Sequence, residues 1–191
     1  AAERLPVILI DAGSILRGLD RDQAGTRRIV EQAWSNLSQG RDIIVALGPS
    51  VGHGKHGSSD RSQSHRNTED SHIITAYLGL LAGKILSAYM VAGFVLTGGD
   101  TALAVCREIG GIGVAMLDEI APGMPSGRIV GGAHAGLMVV TKAGSFGGED
   151  AIVEAVRYLR TNARERYTGT EGKGCPCRGH RPLPGGDGAN A

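Results

Sequence analysis

A chain of 191 residues holds one domain with a substantial core, or one domain and a small appendage. Its 20 Lys and Arg nearly balance 19 Asp and Glu, which excludes a global field for nucleic acid or an anionic membrane and requires any anion site to be local. Glycine, at 31 residues, exceeds twice its usual share of roughly 7% without collagen period or low complexity, as in an α/β domain with many tight turns and binding loops.

In chain order, Leu5-Pro6-Val7-Ile8-Leu9-Ile10 is an apolar run of strand formers ending in Asp11-Ala12-Gly13-Ser14, a strand followed by a loop. Ile29, Ala33, Trp34 and Leu37 recur at helical spacing and predict a helix over 26–39, with these residues on its core face and Gly40 as its stop. Residues 42–47 (DIIVAL) form a second buried strand, and two strands around a helix imply parallel pairing. Residues 48–67 are polar, rich in Gly, Ser and His and without apolar period, so they predict a long loop. Thr68, Glu69 and Asp70 then open a helix to about Val91, the threonine as cap and the acids complementing the dipole. A third strand at 94–97 and a helix at 101–109 follow.

Residues 78–97 match the roughly 20-residue length of a membrane span. Lys84 and three glycines interrupt them, and a buried helix followed by a buried strand accounts for them without a membrane. Further strands are expected at 114–120 and 136–141, with a short edge piece at 128–131. Residues 149–164 spell an amphipathic helix with Ile152, Val153, Val156 and Leu159 on one stripe. From Tyr167 the chain turns Gly/Pro-rich. An α/β domain over 1–166 and a disordered or loosely attached tail over 167–191 are therefore expected. The sheet should be mainly parallel and flanked by helices, with glycine-rich loops at the carboxyl ends of its strands, where ligands gather.

Three loops fit that description. In Gly98-Gly99-Asp100-Thr101 the glycines let amides point outward, and the helix start adds free donors and positive dipole. Thr101 offers a hydroxyl, while Asp100 suits either a helix cap or a metal ion; a plain capped turn reads the same residues without a ligand. Lys142-Ala143-Gly144-Ser145-Phe146-Gly147-Gly148 repeats the pattern with a cation, a hydroxyl and a ring able to cover an adenine. Its plain alternative is an N-cap by Ser145 or Glu149 with Phe146 in the core. In Glu119–Gly127 two prolines stiffen a loop that walls a base or ribose, or that is simply a surface turn.

The ordered run GGDTA, DEIAPGMPSG and VTKAGSFGGEDA resembles the C-terminal nucleotide-binding domain of the four-carbon acid sugar kinase family, which includes threonate and erythronate kinases. The likeness is dense over 94–159. It implies ATP binding by Gly98, Gly99, Asp100, Thr101 and Gly144, with Lys142, Ser145 and Gly147 in the same loop and Glu119, Pro122 and Gly123 along the same cleft. Family members open this domain with a strand and a Gly-Ser element at the nucleotide, to which Gly13-Ser14 corresponds, so Ser14 joins the binding set. The resemblance further implies ATP with Mg²⁺ as phosphoryl donor and a hydroxyl of a four-carbon sugar acid as acceptor. Family kinases bind that acid in an N-terminal domain with an Asp-Asp signature. That domain is expected to be missing here and supplied by a longer chain or separate subunit, so the catalytic base is unknown and the chain inactive alone. A non-catalytic nucleotide-binding regulatory or interaction module is the alternative, and a homo-oligomer is compatible with both.

Other signals point nowhere specific. Gly48–His56 (GPSVGHGKH) fails the P-loop pattern, with Pro49 in place of the first glycine and His56 in place of the hydroxyl residue. His53, His56, His65 and His72 lack metal-ligand spacing, and Cys175, Cys177 and His180 supply three ligands where a closed zinc site takes four. No metal site of the protein's own is expected. No basic patch with interleaved aromatics suggests nucleic acid, and no G-x-G-x-x-G follows the first strand as a dinucleotide site requires. Three cysteines make no disulfide framework, and the start has no signal-peptide pattern, so a cytoplasmic location is expected.

Overall fold

The computed structural model describes residues 5–18, 23–48, 61–144 and 146–162, with residues 23 and 61–67 described in backbone only. Ser145, the tail expected at 167–191 and residues 49–60 of the His-rich segment lie outside the described residues.

Strands β1 (Val7–Asp11) and β2 (Ile44–Gly48) pair in parallel, Val7 opposite Ile44 and Asp11 opposite Gly48. Helix α2 (Gln23–Leu37) crosses between them, so the expected strand-helix-strand unit is present. Two details differ. A short helix α1 (Ala12–Leu16) replaces the expected loop after β1, because the Asp11 carboxylate accepts the Gly13 and Ser14 amides and caps it. The apolar run of β1 is also buried on one face only: Ile8 and Ile10 point inward, while Val7 and Leu9 are 53% and 64% exposed. Period-2 geometry sends neighbouring side chains to opposite faces however apolar both are.

Helix α3 (Arg61–Ala88) starts seven residues before the expected cap at Thr68, so 61–67 are helical backbone and not loop. That stretch contains neither Gly nor Pro, and extending an existing helix adds a hydrogen bond per residue without a new nucleus. Its Thr68–Ala88 portion is long and apolar enough to cross a membrane by length and composition. The packing explains the apolarity otherwise. Tyr77, Leu81 and Ile85 enter the core under β1, whereas Ala82 and Leu86 enter a second core with Leu96, Val105, Ile109 and Val139. One helix serving two cores must be apolar around most of its circumference.

The second sheet contains β3 (Gly93–Thr97), β4 (Gly113–Ala121), β5 (Met124–Val130) and β6 (Met138–Lys142), in the order β3-β6-β5-β4. Strands β3 and β6 are parallel; β6 with β5, and β5 with β4, are antiparallel. The sheet is thus mixed and not mainly parallel, since only Pro122-Gly123 separates β4 from β5 and so short a connection reverses the chain. Strand β5 lies inside the sheet, not at its edge as the expected piece at 128–131 did. Pro125, Ser126 and Gly127 are poor strand formers, but a Cβ at Gly127 would lie 2.5 Å from Val114 Cγ1 and 2.6 Å from the Ala115 carbonyl oxygen. Close packing, not propensity, selects glycine there.

Helix α4 (Gly99–Glu108) follows β3, and α5 (Ala151–Asn162) packs on β3, β4 and β6. The buried face of α5 is Ala151, Ala155 and Leu159, with Ile152 outside it, in place of the expected stripe through Ile152 and Val156. Small residues let the helix settle onto the sheet, where Met124, Met138 and Val140 complete a third core.

Candidate functional site

Because β3 and β6 are parallel and Thr97 lies opposite Lys142, the segments that leave their carboxyl ends start side by side. The Gly98 amide donates to the Lys142 carbonyl at 3.0 Å, joining the GGDT turn to the KAGSFGG loop. Gly98 takes φ 89°, ψ 136°, a conformation open to glycine, and its carbonyl accepts the Ala102 amide at 3.1 Å as the first bond of α4. Asp100 and Thr101 stand in the first turn of that helix, and Gly98 is its N-cap without a side-chain bond. Asp100 is therefore not the cap. The first amides of a helix have no acceptor within it, so those of 99–101 face outward from a positive dipole end. A Cβ at Gly99 or Gly144 would meet nothing within 4 Å, so both backbones border open space.

The third sequence element reaches the same edge as a hairpin tip. The Ala143 amide donates to the Gly123 carbonyl at 3.0 Å. Gly123 holds φ 75°, and its amide donates to Glu119 Oε1 at 2.9 Å. Most of Glu119–Gly127 is thus strand, and the expected rigid loop shrinks to Pro122-Gly123 between β4 and β5. Pro122 is exposed beside it.

Lys142 is half-buried, and its Nζ donates to the Gly144 carbonyl at 2.9 Å and to the Ala143 carbonyl at 3.4 Å. The ammonium thus holds two carbonyls of its own loop. Gly147 takes φ 90° with Lys142 Cε 3.5 Å from where its Cβ would be, so the loop folds back over the lysine stem. Phe146 is 55% exposed, outside the core that the plain alternative assigned to it.

Ser14 stands apart. Its amide and hydroxyl both bond Asp11 Oδ2 at 2.9 Å, within the α1 turn at the end of the other sheet. Among the described hydrogen bonds, none joins Ser14 to the three converging segments. The Ser14 hydroxyl is the chief cause that holds the Asp11 carboxyl below the usual aspartate range, with the Ser14 and Gly13 amides and Arg17 adding to it against some desolvation. The sequence reading passed over Asp11, although the Asp-x-x-Ser spacing before a helical turn is the signal of a cap. It also omitted Ala143, whose contribution is a backbone amide and so carries no side-chain signal.

Residues 1–152 match the family model of the nucleotide-binding C-terminal domain. The chain is 43% identical to a D-threonate kinase of Bordetella bronchiseptica over 91 residues, 48% of this chain and 22% of that one. It is 30% identical to a D-threonate kinase of Salmonella typhimurium over 184 residues, 87% of this chain and 38% of the relative. A crystal structure from Bordetella bronchiseptica, a domain of unknown function with bound citrate in a domain-swapped dimer, superimposes with TM-score 0.59 at 28% identity, over 82% of this chain and 35% of that one. The chain thus spans well under half the length of each of these relatives. With the family match running from the first strand into α5, this chain belongs to the nucleotide-binding C-terminal domains of the four-carbon acid sugar kinase family.

Proposed function

We propose that this chain is the ATP-binding domain of a kinase that phosphorylates a hydroxyl of a four-carbon sugar acid in the cytoplasm. The observation that carries the reading is the bond from the Gly98 amide to the Lys142 carbonyl, which sets two glycine turns far apart in sequence at one end of the sheet. There the polyphosphate lies across the amides of 99–101 and the Gly144 backbone, with the Thr101 hydroxyl as a further donor. Lys142 organises its loop through the 143 and 144 carbonyls, and turns its charge to the phosphates when they displace those contacts. Phosphoryl transfer depends mainly on positioning and charge neutralisation, which amides, dipole and lysine supply here. Mg²⁺ arrives with ATP and neutralises its phosphates; the Asp100 carboxylate, free of capping, suits a cation that prefers oxygen ligands.

The acceptor site and general base belong to a separate acid-binding domain, consistent with relatives whose lengths extend far beyond the matched part. Calorimetry on the 191-residue chain should show MgATP binding, while the same sample transfers no phosphate to D-threonate. Absence of ATP binding with an intact far-ultraviolet spectrum would overturn the nucleotide reading. Turnover by the chain alone would overturn the division of labour. If an added acid-binding domain restores no transfer, the chain is a nucleotide-binding regulatory module instead.

A further inference from the structure

Phe146 is exposed yet firmly seated. Its Cβ and Cγ lie 2.8 Å from the point a Gly123 Cβ would occupy, so the ring begins directly on the hairpin tip. Its amide donates to the Ala143 carbonyl at 3.1 Å, and the Ala143 amide donates in turn to the Gly123 carbonyl at 3.0 Å. The Gly123 amide ends on Glu119 Oε1 at 2.9 Å. These bonds run from the ring's own backbone to the glycine beneath it and on to a carboxylate in β4. A lone exposed apolar side chain is ordinary on a protein surface. This one is braced from backbone and from below, between the tip at Pro122 and a loop whose Gly144 backbone borders open space.

We infer that Phe146 is the surface on which the nucleotide base stacks, and that Glu119 is a positioning residue for it, acting through Gly123 without touching the nucleotide. The inference rests on the polyphosphate reading above and adds the base to it. Gly123 is doubly required: φ 75° suits glycine, and any side chain would strike the ring. Stacking accepts every base because each has a π face, so ATP and GTP should bind with similar strength.

The test compares MgATP with magnesium tripolyphosphate, which shares the phosphates and lacks the base, by calorimetry on the full chain. Phe146→Ala should weaken ATP binding by about tenfold or more and leave tripolyphosphate unchanged. Phe146→Trp should keep ATP affinity, and its added indole fluorescence, above that of Trp34, should be quenched by ATP and not by tripolyphosphate. Glu119→Ala should weaken ATP alone, and Glu119→Gln, which keeps a carbonyl acceptor for the Gly123 amide, should restore it. Equal losses for both ligands in Phe146→Ala would mark the ring as loop structure and overturn the inference, as would an unchanged ATP affinity. Wild-type chain that binds ATP no better than tripolyphosphate sinks the base site alone. Binding of neither sinks the polyphosphate reading and this inference with it.

Discussion

At the residue scale the site depends on backbone conformations that few side chains permit. Gly98 at φ 89° and Gly123 at φ 75° sit where the chain changes direction at the strand ends. An L-residue in the left-handed region costs about 1–2 kcal/mol, and at Gly123 a methyl would also displace the Phe146 ring. Gly123→Ala should therefore lower the melting midpoint by roughly 2–8 °C in a calorimetric scan, on the scaling for a domain of this size. Gly99→Ala, which meets open space at ordinary helical φ, should leave the midpoint nearly unchanged. Asp11 makes a pH prediction. Its folded carboxyl titrates below its unfolded value, so its bonds to Ser14 and Gly13 contribute fully above the usual aspartate range and are lost as pH falls through the folded value. Urea midpoints of wild type and Asp11→Ala should differ at neutral pH and converge at strongly acidic pH. A gap that persisted there would assign the effect to packing.

At the element scale the contact between α3 and α4 is set by two glycines one turn apart. A Cβ at Gly79 would fall 2.8 Å from the Ala104 carbonyl oxygen and 3.0 Å from its carbon, whereas one at Gly83 would meet the Glu108 side chain. Backbone cannot step aside, and a surface glutamate can. Alanine in a helix gains up to about 1 kcal/mol over glycine from propensity. At Gly79 overpacking of about 1–3 kcal/mol should outweigh that gain. Urea unfolding should thus find Gly79→Ala less stable than wild type and Gly83→Ala the milder of the two; the reverse order would mean the helices lie farther apart. On the proposed reading the position of α4 bears on nucleotide binding as well, because this crossing holds the helix whose first turn carries Asp100 and Thr101. The cap and the apolar run of α3 say that a helix forms, yet they do not say which residues meet which core. The same limit explains the misread face of α5, where alanines lie inside and Ile152 outside.

At the scale of the whole molecule, the two sheets share α3 as a common wall, and an ion pair from Arg160 Nε to Asp42 Oδ2 at 2.7 Å links the end of α5 to the entry of β2. Both partners are about 40% exposed, so the pair contributes no more than about 1 kcal/mol. Nucleotide binding should act more strongly. A ligand at a hundred times its dissociation constant stabilises the folded state by about 2.7 kcal/mol, so MgATP should raise the melting midpoint where NAD does not. An equal shift with both would argue against a triphosphate site.

Local sequence determined that this is an α/β chain, where most elements run, and that glycine turns follow the strands at Thr97 and Lys142, because helical and strand periods and glycine's freedom are properties of neighbouring residues. It also identified the kinase resemblance from the order of three motifs. Only tertiary structure decided that β5 is interior and the sheet mixed, that the third motif is a hairpin tip, and that Ala143 joins it to the lysine loop while Ser14 bonds elsewhere. Those outcomes turn on close approaches of backbone to backbone between segments far apart in the chain. Such contacts leave in the sequence only a glycine or a small residue, whose partner the fold alone reveals.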